Sequence, residues 1–132
     1  MAGFSVFRDN GRVTPKKALA VMNDLFFSVK ILDAGKQAGV AVEIVKDREK
    51  VLAKAPDAAV VIFDLNYAAI DPVDLIRAIK SGPSAPMLVG FVSHVQTDLI
   101  AQARESGCDV VVARSAFAQR LPAILSDAAA RN

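Results

Sequence analysis

Short runs made almost wholly of apolar residues recur along the chain, each followed by a polar break and then a segment with helical spacing. ALAVM (18–22), AAVVIF (58–63), PMLVGFV (86–92) and DVVVA (109–113) are four such runs. Residues 40–46 form a fifth, mixed one. A strand that is apolar on consecutive residues must be covered on both faces, because successive side chains point to opposite sides of a sheet. Between the runs, helices are expected over 25–38, 47–55, 73–81, about 97–105 and about 116–129. Asp24 is placed to cap the first and Gly39 to stop it; Asp71 and Pro72 start the third; Gly107 ends the fourth. Apolar residues at Phe26, Val29 and Leu32 follow the helical period, and Phe26 and Phe27 are expected in the core. Five strands alternating with five helices imply an α/β fold: a flavodoxin-like, doubly wound, five-stranded parallel sheet with helices on both faces.

A chain of 132 residues, 53% hydrophobic, is long enough to bury one core. One domain is expected over 17–132, preceded by a basic leader, 1–16, which is an arm, an extra edge element or disorder. Residues 1–17 carry Arg8, Arg12, Lys16 and Lys17 against Asp9 alone, and the remainder is close to neutral. With 16 basic and 14 acidic side chains overall, the composition argues against a nucleic-acid binder with a strongly basic face. No apolar run approaches the roughly 18 residues of a membrane span, and the N-terminus lacks a secretory signal pattern. The protein is expected in the cytoplasm. Cys108 is the one cysteine, so it is read as a buried, reduced thiol with no zinc or disulfide partner.

In open α/β sheets, ligands sit beyond the carboxyl ends of the strands where the topology changes direction. The residues just after each run are therefore the candidates: Met22, Asn23 and Asp24; Asp64, Leu65 and Asn66; Val92, Ser93 and His94; Arg114 and Ser115. Asp64 is a lone carboxylate at the end of a wholly apolar segment. A strand end that only starts a turn would also account for it, but the position favours a site. A Ser93, His94, Asp64 hydrolase is disfavoured, since adjacent strand residues face opposite ways and there is no G-x-S-x-G elbow. The KSGPSAP loop (80–86) precedes a strand and is no phosphate cradle.

FDLNYAAIDPVDLIRAIK (63–80), with ESGCD (105–109) and RSAF (114–117), resembles the receiver domain of two-component response regulators over about residues 17–129. The resemblance implies that Asp64 is the aspartate that accepts a phosphoryl group from a histidine kinase, that Ser93 and Arg114 assist it, and that Mg²⁺ is held there. Implied ligands are Asp64, the Asn66 backbone carbonyl, Asn23 and Asp24. The sequence departs from the pattern where it matters for the metal. Met22 and Asn23 stand at the family's acidic pair, and a thioether is a poor Mg²⁺ ligand. Asp24 comes one position late and reads first as a helix cap. Val92 occupies the family's hydroxyl position by one count and Ser93 by another. Arg114 replaces a lysine and either grips a phosphate or pairs with Asp64. Ser115 replaces a proline, so a trans peptide is expected there.

The expected function is that of a stand-alone, non-enzymatic receiver-like protein, with Asp64 as actual or vestigial phosphoacceptor. Its partner is a signalling protein, such as a histidine kinase, met through the family's usual face of fourth helix, fifth strand and fifth helix. A monomer or weak homodimer is expected. The alternative is a flavodoxin-like binder of a small anionic ligand or nucleotide, held by Ser93 and Arg114.

Overall fold

The computed structural model describes residues 6–9, 12–15, 17–83, 86–94 and 96–131. Its centre is a five-stranded parallel sheet of β3 (Lys17–Val21), β4 (Ala41–Val45), β5 (Ala58–Asp64), β6 (Met87–Val92) and β7 (Val110–Ala113), in the order β4-β3-β5-β6-β7. Counted along the chain, the sheet's strands run 2-1-3-4-5, the flavodoxin-like doubly wound order. Two further strands, β1 (Val6–Asp9) and β2 (Arg12–Pro15), pair antiparallel with each other, with Val6 opposite Pro15 and Asp9 opposite Arg12. The leader thus contains a hairpin where described; its residues 1–5, 10, 11 and 16 lie outside the described residues.

Period-two alternation sorts the core into two layers. Ala18, Ala20, Val60, Ile62, Val89 and Phe91 face α1 (Leu25–Ala38) and α5 (Arg114–Ala130). Leu19, Val21, Val61, Phe63, Leu88 and Val92 face α2 (Arg48–Lys54), α3 (Pro72–Lys80) and α4 (Thr97–Ser106). Both faces of β3, β5 and β6 are thereby removed from water, as the wholly apolar runs require.

The helix ends follow the signals in the sequence. Asp24 caps α1, its Oδ1 accepting the Phe27 N–H at 3.0 Å, and Gly39 closes it in the left-handed region at φ 75°. Asp71 caps α3 ahead of Pro72, itself at φ 51°. Two expectations are corrected. The last helix starts at Arg114, directly off β7, so Arg114 and Ser115 are helical and no loop separates strand from helix. In addition, Phe26 is not core. Phe27 and Ile31 form the buried stripe of α1 with Gly35, whereas Phe26 is 86% exposed and Val29 58%. Two apolar stripes share this helix, and periodicity alone does not say which one turns inward.

No described helix is long and apolar enough to cross a membrane, and no described peptide bond is cis. Cys108 is buried and free, and burial pushes its thiol up to about 11.

Close helix–sheet approach at Gly35 makes a sharp test of the packing. A Cβ there would lie 2.5 Å from Val42 Cγ2 and 2.9 Å from the Val40 carbonyl oxygen. Gly→Ala in a helix normally gains up to about 1 kcal/mol. Here the backbone oxygen cannot give way, and Gly35→Ala should instead lose about 1–3 kcal/mol in denaturant unfolding.

Candidate functional site

The sheet changes direction between β3 and β5, and the residues leaving those strands define a shallow site at its carboxyl edge. Asp64 is the last residue of β5, paired in register with Phe91 of β6. Alternation along β5 places it on the α1/α5 side. The same side of the sheet carries a cluster of three rings from three elements. Phe91 stacks on Phe117 of α5 with centroids 4.8 Å apart, and Phe27 of α1 meets Phe91 edge-on at 5.2 Å. Partial burial raises the Asp64 carboxyl above its ordinary 3.8; the Asn66 N–H and the Arg114 charge oppose the shift, and Asp24 adds to it. Asp64 also does the ordinary work of a strand end, its Oδ1 accepting the Asn66 N–H at 2.9 Å.

Arg114 does not pair with Asp64. Its guanidinium binds Oδ2 of Asp24 and lies over the Phe27 ring, 4.4 Å from the centroid. The other oxygen of Asp24 is taken by the cap of α1. The Phe27 amide and Arg114 hold the Asp24 carboxyl below its usual range. Asp24 therefore ties the start of α1 to the start of α5.

Ser93 lies exposed just past β6, and it is its backbone N–H that enters the network, donating to Asn66 Oδ1 at 2.8 Å. Val92, the other candidate at that position, is buried in the α2/α3/α4 layer and offers the site nothing. The Asn66 side chain also donates to Gln96 Oε1. Asn66 is thus a clip between the loop after β5 and the loop after β6, a role for its side chain that sequence reasoning missed along with Gln96. No motif marks such a clip. The aromatic cluster was equally hidden, because its rings come from three separate elements.

The donor set does not suit Mg²⁺. Met22 is fully buried in the core with its soft sulfur, and Asn23 is exposed. Both oxygens of Asp24 are engaged, the Asn66 side-chain oxygen accepts from Ser93, and its backbone carbonyl accepts the Ala68 N–H at 2.9 Å. Among the described residues, no group of three or more His, Cys, Asp or Glu side chains could hold a metal ion. An octahedral ion needs hard oxygens converging at about 2.1 Å.

The raised Asp64 carboxyl has a measurable sign. The folded state holds this proton more tightly than the unfolded chain, so the contribution to stability is full below 3.8 and is lost as pH rises through the folded value. Asp64→Asn keeps an oxygen for the Asn66 N–H without the buried charge. At neutral pH the variant should melt at or above the wild-type temperature, with the difference closing as pH falls toward 3.8.

No protein-family model and no curated protein matches the chain. Solved structures do. It is similar to a response regulator from Hahella chejuensis, at 22% identity and TM-score 0.71 over 84% of this chain and 92% of that one. The signal receiver domain of the putative response regulator NarL from Mycobacterium tuberculosis aligns at 18% identity and TM-score 0.72, over 89% and 100%. A response regulator from Burkholderia pseudomallei, solved with a phosphorylated aspartic acid, a calcium ion and citrate, aligns at 19% and 0.69, over 87% and 69%. With its strand order, its two helical layers and a carboxylate at the end of the central strand, this chain has the fold of the response-regulator receiver domains.

Proposed function

We propose that the protein is a receiver-like signalling module that works by binding a partner protein, with Asp64 as a vestigial phosphoacceptor. The receiver-like unit spans 17–132, and the basic leader 1–16 stands outside it. The observation that carries the reading is the outer face of α1. Leu25, Phe26, Val29 and Leu32 are exposed there, and of the large hydrophobic side chains exposed among the described residues only Leu52 is not on this helix. A side chain as large as Phe at 86% exposure contributes nothing to the fold and costs solubility, which is the signature of a surface meant to be covered. The stripe starts beside Asp24, so a partner seated on it would also reach the Asp64 edge.

This moves the expected partner surface from the fourth-helix and fifth-helix face to α1. The small-molecule alternative is weakened at one of its two anchors, because the Arg114 guanidinium is paired with Asp24. The match to receiver folds favours a signalling role over catalysis, and a histidine kinase or another component of a phosphorelay is the class of partner it suggests.

Two measurements test the reading. Phe26→Asp should melt within about 0.5 kcal/mol of wild type, as an exposed substitution does. A partner recovered by cross-linking from the native cells, and rebuilt from purified proteins, should bind wild type and fail to bind Phe26→Asp. In parallel, incubation with acetyl phosphate and Mg²⁺ should leave the intact mass of wild type and Asp64→Asn unchanged. A phosphoryl-sized gain lost in Asp64→Asn would instead make the protein a working phosphorylation switch.

A further inference from the structure

The site lacks what a divalent cation needs, yet it does not lack positive charge. Arg114 stands in the first position of α5, where the helix dipole disfavours a cation. Two contacts hold it there in spite of that. Its guanidinium donates to Asp24 and lies over the Phe27 ring, which is itself packed against Phe91 and Phe117. Asp24 and Asp64 are the two carboxylates at this edge, and Arg114 is paired with the first while its charge acts on the second. A metal ion would have to compete with a cation already seated on Asp24, at a site that otherwise offers a buried thioether, the neutral amide of exposed Asn23 and an Asn66 amide oxygen already in use.

We infer that Arg114 is a built-in substitute for a divalent metal: it holds Asp24, joins the starts of α1 and α5, and makes the Asp64 edge metal-independent. The inference rests on reading Asp64 as the receiver-type site, and it adds how that site is kept in one state. In metal-dependent sites of this chemistry the cation comes and goes with solution conditions. A guanidinium covalently part of the chain does not, and its planar fork is suited to a permanent carboxylate pair. With Arg114 committed, no further cation among the described residues acts on Asp64 to offset the two negative charges a phosphoryl group would bring.

Titration calorimetry with Mg²⁺ and Mn²⁺ at constant ionic strength, alongside thermal melts, decides the matter. Wild type should give no saturable heat and no shift of its midpoint in millimolar metal. Arg114→Gln releases the Asp24 carboxylate. It should acquire millimolar-range affinity and a metal-dependent rise of a few degrees, both lost again in Arg114→Gln combined with Asp64→Asn. Arg114→Met, which keeps an apolar stem over Phe27, gives the same comparison if the Gln variant folds poorly. Saturable binding by wild type that Asp64→Asn abolishes would overturn the inference. So would a cooperatively folded Arg114→Gln or Arg114→Met that remains blind to metal. None of the metal measurements involves a partner protein, so failure of the partner reading is separable from failure of this one.

Discussion

Burial of the central strands on both faces is the constraint from which the rest follows. Once β3, β5 and β6 are sandwiched between helical layers, no polar side chain can be tolerated along their length without a partner. Polar chemistry is thereby driven to the strand ends, and the direction of a parallel sheet collects those ends on one edge. Asp64 is the outcome: a half-buried carboxylate at the strand end, on the side of the sheet that carries the three aromatic rings. Its environment is set less by its neighbours in sequence than by what the sheet permits.

The network around it shows how polar groups are satisfied in so small a space. Asp24 serves two helices at once, Asn66 serves two loops at once, and no buried side-chain nitrogen or oxygen among the described residues is left without a partner. Such an edge is organised before any ligand arrives. A site that must open for an incoming group usually leaves some of these donors and acceptors free or mobile. Here internal partners have taken both carboxylate oxygens of Asp24 and the side-chain oxygen of Asn66.

The fold was legible because each element carries its own local signal. The limits of α1 were readable at both ends, since a cap at Asp24 and a left-handed glycine at Gly39 are local facts. The start of α5 was not, because Arg114 and Ser115 carry no start signal and the strand runs straight into the helix. The inward face of α1 was likewise out of reach. Phe26 and Phe27 are equivalent to a periodicity argument, and only the packing of α1 against β4 and α5 distinguishes them. At the site, Asp64 stood out as the end of an apolar strand. The partner of Arg114 did not, since pairing across most of the chain is a property of topology.

That separation has a kinetic meaning. Asp24 and Arg114 are 90 residues apart, and the contact joins the helix after the first strand of the sheet to the helix after the last. The chain must close a loop of 90 residues before the two can meet, so local elements and the central strand pairs have every reason to assemble first. An interaction completed last is largely absent from the folding transition state. Its stabilisation therefore acts mainly on the rate at which the native protein comes apart. The pair that sets the electrostatics of the edge is also a latch on the finished fold, and it lengthens the life of the native state more than it hastens its formation.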